Sequence, residues 1–327
     1  MRVARWSATH PWRAVALWLV FVAACIAVGN MAGLREQGDL DNTVGQSGRA
    51  AHWLHDANLE GLDTENVLIT ARTGTLDGGA ARAAVAAVSS RMSALPQVAS
   101  VGAAATSADR HAVTLEVTLN KDADVAPLLA ATESVQRQFP ALRVEEVGDQ
   151  SMNNAVNDQV ASDLSSAAKF SLPVTLVILL VAFGAIVAAG VPILLALSAV
   201  GAATGLSSLA SHVLPDSGTT SSMILLMGMA VGIDYSLFYV KRARAERHAG
   251  RSRLDAIEIA AETSGHSVLV SGMAVIVAML GLFVTGDMVF ESLALGSIIV
   301  VAVAVLGSLT VLPAVLMLLG KRIDRPR

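Results

Sequence analysis

Residues 229–246 read Met-Ala-Val-Gly-Ile-Asp-Tyr-Ser-Leu-Phe-Tyr-Val-Lys-Arg-Ala-Arg-Ala-Glu, an apolar run that holds Asp234 and is followed from Lys241 by charged, mostly basic residues. Asp234 is the only Asp, Glu, Lys or Arg between Ser217 and Val240. That interval is long enough to cross a bilayer as a helix, which takes about 20 residues. Because placing a carboxylate at such a depth in the bilayer costs about 3 kcal/mol of free energy, we expect Asp234 to have a specific role. It either carries protons for a transporter or is a structural acid neutralised by a neighbouring helix, and intramembrane acids favour the first reading.

The composition of the whole chain indicates a membrane protein. Of its 327 residues 54% are hydrophobic and only 15% are charged, whereas soluble domains carry about 25% charged residues. The single cysteine, Cys25, excludes a disulfide within the chain. His52, His55 and Asp56 lie close together, but such residues are ordinary on a solvated helix face, so no metal site is predicted. No catalytic motif or cofactor-binding motif is found in the soluble stretch, and we expect neither an enzyme nor a cofactor.

Hydrophobic stretches predict a multi-pass α-helical membrane protein with six transmembrane helices. Residues 170–215 contain no Asp, Glu, Lys or Arg, and Gly190-Val191-Pro192 predicts a tight turn between two helices there. The first span, Trp12–Ala32, could be a signal peptide, but an uncleaved anchor is favoured because no small-x-small cleavage site follows it. The remaining predicted spans are Thr219–Val240, residues 266–285 and Ser292–Leu319.

Basic residues predict the orientation, since Lys and Arg in short loops stay cytoplasmic. They cluster before the first span, in the segment 241–265 and after the sixth span. Both termini are therefore expected in the cytoplasm. The basic segment could also bind anionic lipid, and nucleic acid is not an expected partner. The predicted regions are 1–32 (N-terminus and first helix), 33–168 (outer domain), 169–320 (helices two to six, with the cytoplasmic basic loop 241–265) and 321–327 (start of a linker or tail).

The outer region shows alternating and helical patterns in the order β-α-β-β-α-β, which is the split βαβ or ferredoxin-like arrangement. Its core is predicted at residues 66–147. The predicted segments are strands at 66–72, 97–101, 111–119 and 141–147 and helices at 77–95 and 124–139. Such a domain packs two helices on one face of its sheet and leaves the other face open for a partner or ligand.

Small residues mark a second feature of the fourth span. Gly228, Gly232 and Ser236 recur every fourth residue, a stripe that lets another helix approach closely. The stripe points away from Asp234, so one face of the helix would pack while the other serves the proton. Tyr235, beside the acid, can exchange hydrogen bonds with it.

The fifth span offers hydroxyl groups to the same site. Ser267 and Ser271 are four residues apart and so share a helix face. Either could hydrogen-bond the carboxylate of Asp234, and the alternative is a bond to the backbone of its own helix. Tyr239 suits an interfacial aromatic better than Tyr235 does.

These motifs resemble the MmpL (MMPL) family of transporters in the resistance-nodulation-division (RND) superfamily. The resemblance is carried by MAVGIDYSLFYVKRARAE (229–246), SGHSVLVSGMAV (264–275) and LTVLPAVLMLLGKR (309–322). It implies export of lipids or other lipophilic compounds, driven by the proton motive force. It also implies that Asp234, Tyr235 and Ser271 belong to the proton relay. His266 stands where many relatives have arginine, which puts a role for that side chain in doubt.

Family members normally have two such halves, and this chain resembles the N-terminal one. Its end looks like the start of a linker, so we expect a second half as partner, covalent or in an oligomer, besides membrane lipids and the lipophilic substrate. The alternatives are a non-transporting membrane module, such as a sterol-sensing-like or scaffold subunit, and an inactive truncated fragment. An intramembrane aspartyl protease would need a second aspartate at the site.

Overall fold

The computed structural model describes residues 2–320 except 39, 42, 44, 58, 60, 77, 122, 184 and 185. The chain divides into two compact units, which we call the helical unit (Met1–His52 with Leu164–Arg327) and the α/β unit (Trp53–Asp163). The helices are α1 (Arg2–Thr9), α2 (Pro11–Ala32), α3 (Gly45–Asp56), α4 (Gly78–Met92), α5 (Ala126–Gln138), α6 (Asp149–Phe183), α7 (Ile186–Ala210), α8 (Thr220–His248), α9 (Arg253–Leu280) and α10 (Met288–Leu319). The strands are β1 (Thr64–Ala71), β2 (Val98–Val101), β3 (Ala105–Thr106), β4 (Ala112–Leu119) and β5 (Leu142–Gly148), and a 3₁₀ helix covers Gly281–Thr285.

Long apolar helices make up most of the helical unit. Within the described ranges five helices are long and apolar enough to cross a membrane: Pro11–Ala32, Ala188–Ala210, Thr220–His248, Arg253–Thr285 and Met288–Leu319. A shorter apolar helical stretch covers Lys169–Val181. Hydrocarbon offers no partners to backbone N–H and C=O groups, so spanning segments satisfy them internally as helices. The prediction of a multi-pass helical membrane protein is confirmed at this level.

The tight turn predicted at residues 190–192 is wrong. Helix α7 runs without interruption from Ile186 to Ala210, with Pro192 inside it. Proline removes only one backbone hydrogen bond, and membrane helices tolerate it because neighbouring groups compensate. The buried residues Ala188, Ala189 and Val191 surround this position, so packing overrides the local turn signal.

The basic loop predicted at 241–265 is also mostly helical. Helix α8 continues to His248 and α9 begins at Arg253, which leaves only residues 249–252 between them. Glu246 joins Arg242 at 2.7 Å one turn earlier and Arg251 at 2.9 Å in the link. Arg, Glu and Ala are strong helix formers, so a charged stretch can extend a membrane helix beyond the bilayer.

Helices α7 and α2 approach each other closely enough for backbone to meet backbone at two glycines. A methyl group at Gly29 would lie 2.5 Å from the Cα atom of Gly205, and one at Gly205 would overlap the carbonyl group of Cys25. Trp18 of α2 donates from Nε1 to the hydroxyl of Ser198 at 3.0 Å and anchors the same interface.

Tyr239 joins α8 to α9 inside the unit. Its side chain is fully buried, and its hydroxyl donates to the carbonyl oxygen of Ile257 at 3.2 Å. The expectation of an interfacial aromatic at this position is therefore wrong, because the start of α9 covers it.

The α/β unit is built on an antiparallel sheet. The strand order is β2-β4-β1-β5, and the two-residue β3 also pairs with β4. Alternate residues of β1 and β4 are buried, including Val67, Ile69, Leu115 and Val117. They form one core with α4 and α5 through residues such as Val88 and others of both helices. The four predicted strands and two predicted helices begin and end within about three residues of their predicted limits, and β3 was not predicted.

We predict that Gly205→Ala lowers the melting temperature of the detergent-solubilised protein. The new methyl group would meet backbone of α2, which cannot move aside as a side chain can, and such overpacking costs about 1–3 kcal/mol. The measurement is loss of the monodisperse peak in size-exclusion chromatography after heating. Gly190→Ala is the matched control on the same helix, because nothing lies within 4 Å of the added methyl group there. Equal melting temperatures for the two variants would contradict the backbone contact.

Candidate functional site

Asp234 lies on the exposed face of α8, at the surface of the helical unit. No other described residue contributes a hydrogen bond or an ion pair to its carboxylate. The face on the opposite side of the helix is buried and carries Gly232 and Ser236. The carboxylate of Asp234 therefore has no hydrogen-bond or ion-pair partner among the described residues.

Tyr235 points from α8 towards α9 and α10. Its side chain is 8% exposed and packs with Val268, Val301 and Val305. A methyl group at Gly272 of α9 would lie 3.5 Å from the tyrosine hydroxyl, so this glycine leaves room beside it. In the described part of the chain this hydroxyl makes no hydrogen bond, and it remains able to donate one.

Ser271 and Ser267 are exposed on α9 and bond to their own helix. Ser271 donates to the carbonyl oxygen of Val268 and Ser267 to that of Thr263, both at 3.2 Å. The alternative stated for these serines, a bond to their own backbone, therefore describes their arrangement in this structure. A hydroxyl bonded in this way can still accept a hydrogen bond from another group.

A groove of about 380 Å³ runs between α8 and α9. Tyr235, Phe238 and Arg242 line it from α8, and Thr263, Ser264, Ser267, Val268 and Ser271 line it from α9. Two of the predicted relay residues, Tyr235 and Ser271, thus share one polar groove. Asp234 precedes Tyr235 in the chain but does not line the groove.

Thr263 adds a third hydroxyl group to Ser267 and Ser271, the two that the sequence predicted to share a helix face. Thr263, Ser267 and Ser271 recur every fourth residue, so they share one face of α9. The spacing was a visible signal, but Thr263 lies in the segment that was predicted to be a loop. Once α9 is seen to begin at Arg253, the row extends over two helical turns.

The small-residue stripe of α8 meets neighbouring helices closely. A methyl group at Gly228 would lie 2.6 Å from methyl carbons of Val200 and Val300, and one at Gly232 would lie 2.9 Å from Cβ of Ala196. Ser236 is fully buried and donates to the carbonyl oxygen of Gly232 at 2.8 Å. The buried side of α8 thus faces α7 and α10.

Metal chemistry finds no support in the described residues. No group of three or more His, Cys, Asp or Glu side chains among them is arranged to hold a metal ion. Of the residues considered for a metal site, His52, His55 and Asp56 lie on the short helix α3.

Comparison with known proteins identifies relatives of the chain. A Mycolicibacterium smegmatis protein, the mycolic acid-containing lipids exporter MmpL11, is 35% identical over 219 residues, which cover 64% of this chain and 23% of that protein. The Mycobacterium tuberculosis heme uptake protein MmpL11 is 35% identical over 184 residues, 56% of this chain and 19% of that protein. The trehalose monomycolate exporter MmpL3 from the same species is 29% identical over 181 residues, 55% of this chain and 19% of that protein.

The matched part of the chain thus spans less than a quarter of the length of these relatives. Their names describe two exporters and one heme uptake protein. Residues 42–327 match the MMPL family. This match covers most of the chain and includes the α8–α9 groove, and on that basis the chain belongs to the MMPL family.

Proposed function

We propose that this chain is the N-terminal half of a transporter that exports lipids or other lipophilic compounds across the cytoplasmic membrane, driven by the proton motive force. The observation that carries the proposal is Asp234, the single acid in the apolar part of α8, exposed and without a described partner. Membership of the MMPL family and the printed names of two relatives as lipid exporters support the substrate class.

Asp234 would be the group that binds and releases the proton. A surrounding of low dielectric disfavours the charged carboxylate, and access to water favours it. Movement of α8 relative to its partner would change that balance and couple protonation to conformation. Each charge that crosses the membrane contributes about 2.3 kcal/mol per 100 mV.

Tyr235 and Ser271 would connect Asp234 to the polar groove. Tyrosine and serine hydroxyls both donate and accept hydrogen bonds, which a chain of proton transfers requires. The row of Thr263, Ser267 and Ser271 extends along the middle of α9 towards Tyr235, the neighbour of Asp234. It would form the hydrated path from the cytoplasmic side.

The orientation with both termini in the cytoplasm draws support from contacts between basic residues and helix ends. Arg5 of α1 pairs with Glu258 near the start of α9 at 3.1 Å. Arg253 donates to the carbonyl oxygen of Met317 at 3.3 Å, near the end of α10. The N-terminal helix, the start of α9 and the end of α10 therefore lie at one end of the helical unit, as the positive-inside rule requires.

The remaining parts of the topology follow the same proposal. The stretch Lys169–Val181 of α6 would be the sixth transmembrane helix, in addition to the five long ones. The α/β unit would be the ferredoxin-like extracytoplasmic domain, since its strand order β2-β4-β1-β5 is that of a split βαβ fold. The stripe of Gly228, Gly232 and Ser236 would be the packing face of α8.

A second transporter half would cover the face that carries Asp234. A carboxylate left facing lipid costs about 3 kcal/mol, and burial against a polar partner removes that cost. The partner would be a covalent second half or another chain. A non-transporting lipid-binding module is the competing function, and an inactive fragment is the third possibility.

We predict that Asp234→Asn reduces proton-coupled transport to the level of protein-free liposomes, because an amide cannot carry the proton. The protein is purified from source membranes and reconstituted with a pH gradient. An internal pH dye measures proton flux, and transfer of a fluorescent acyl lipid measures export, with heme as the comparison substrate. Glu262→Gln, an exposed acid on α9, is the control and should transport normally. Undiminished lipid transfer by Asp234→Asn would favour an uncoupled carrier and reject the proton-carrying role of Asp234.

We predict opposite effects for the two tyrosines of α8. Tyr235→Phe should slow transport and leave the melting temperature unchanged, since its hydroxyl makes no described hydrogen bond. Tyr239→Phe should leave transport unchanged and lower the stability by about 1 kcal/mol, because it loses the buried bond to Ile257. Transport rates and thermal melts of both variants check the pair. A transport defect in Tyr239→Phe alone would reject the role given to Tyr235.

A further inference from the structure

Two acidic side chains lie on the buried face of the sheet in the α/β unit. Glu65 of β1 is completely buried, and Glu146 of β5 is partly buried. In the antiparallel register Glu65 pairs with Gly148 and Val67 pairs with Glu146. The two glutamates are therefore diagonal neighbours on one face, close enough for their side chains to interact.

Glu65 holds the beginning of α6. The backbone N–H of Ser151 donates to Oε1 of Glu65 at 3.0 Å, and its hydroxyl donates to Oε2 at 2.5 Å. Because α6 begins at Asp149, this N–H is among the first-turn donors that have no partner within the helix. A helix N-terminus also favours a negatively charged partner.

Gly148 makes the buried position of Glu65 possible. A methyl group at Gly148 would overlap the carboxyl group of Glu65. The absence of a side chain there lets the carboxyl group turn towards Ser151. The backbone N–H of Gly148 in turn donates to the hydroxyl of Ser151 at 2.8 Å.

The carboxyl group of Glu146 has fewer hydrogen bonds than that of Glu65. The hydroxyl of Thr132 on α5 donates to its Oε2, whereas its Oε1 is buried with no partner among the described residues. Burial raises the pKa of Glu146 to about 7, the bond from Thr132 opposes this rise, and the nearby charge of Glu65 adds to it.

No described cation neutralises the pair. On α5 Glu133 pairs with Arg137 at the surface, and on β5 Glu145 lies near Arg143 at 3.5 Å, on the opposite side of the strand from Glu146. Asp149 at the start of α6 and Glu116 on β4 are exposed, and Asp63 accepts a hydrogen bond from Gln150. On α4, which packs on the same face of the sheet, Arg82 is exposed and Arg91 donates to the side-chain oxygen of Gln138. The glutamate pair thus faces hydroxyl groups and apolar side chains.

We propose that Glu65 and Glu146 form a proton-binding pair that fastens the start of α6 to the sheet when it holds one proton and loosens it when both carboxyl groups are ionised. With one proton the pair carries a single charge, which the N-terminus of α6 accommodates. With none, two like charges share a buried site, and repulsion strains the contacts of β1 and β5 with Ser151. This inference concerns the α/β unit alone and does not depend on the transport function.

The direction of the pH effect follows from the pKa of Glu146. The folded state holds the proton more tightly than the unfolded chain does, so the stabilisation is complete below the ordinary glutamate pKa of about 4.5. It is lost as the pH rises to about 7 and is absent above that. The α/β unit should therefore be less stable in mildly alkaline solution than in mildly acidic solution.

The test is hydrogen exchange of the full chain in detergent, followed by mass spectrometry at about pH 6 and about pH 8 and corrected for intrinsic rates. Peptides that cover the end of β5 and the first turn of α6 should lose about tenfold in protection at the higher pH. Glu146→Gln should remove this pH difference, because the amide is neutral at both values. Glu145→Gln, on the exposed side of the same strand, is the matched control and should behave as the unmodified chain.

A second variant and a second measurement test the role of the glutamate pair independently. Glu65→Gln should also remove the pH difference but lower the protection of Ser151 at both pH values, since the cap of α6 is weakened. Infrared spectra of the unmodified chain should show a protonated carboxyl band that disappears between the two pH values and is missing in Glu146→Gln. A pH difference that persists in Glu146→Gln, or its absence from the unmodified chain, would overturn the proposal.

Discussion

Close approach between helices at positions without a side chain is the constraint on which the helical unit depends. Within a bilayer, lipid tails are as apolar as leucine, so helices associate through contact and hydrogen bonds rather than through the hydrophobic effect. Helix α7 meets α2 at Gly205 and Gly29, and it meets α8 where Gly232 faces Ala196. Helices α8 and α10 meet in the same way at Gly296, where a methyl group would overlap the side chain of Thr220. The packing order of the unit follows from where these small residues lie.

This packing also decides what α8 presents on its other side. Its small residues pack against α7 and α10, so Asp234 faces outward and Tyr235 lies in the groove beside α9. Helix α8 thereby has one closely packed face and one face that carries an ionisable side chain. The proposed proton coupling would require both, because a change of charge must act on a firmly positioned helix in order to move it.

Much of the fold could be predicted from the sequence, because periodicity and length report directly on elements such as β4 and α10. The candidate site could be predicted in part, because Asp234 is the only Asp, Glu, Lys or Arg between Ser217 and Val240. Pro192 was misread because a turn signal learned from soluble chains does not account for a buried helix. The loop predicted around Arg242 hid the true start of α9, and with it the role of Thr263 in the hydroxyl row. The contact between Glu65 and the start of α6 could not be found in the sequence, since residues 86 positions apart meet there only through the strand register.

The glycine beside Glu65 has a consequence for how this domain can diverge. The carboxyl group of residue 65 occupies the space that a side chain at residue 148 would need. A side chain at residue 148 would also meet the backbone carbonyl oxygen of Thr64 at 2.5 Å, a contact that does not depend on which residue stands at 65. Across homologous domains residue 148 should therefore stay glycine even in lineages that have lost Glu65, whereas an acid at 65 should occur only together with glycine at 148.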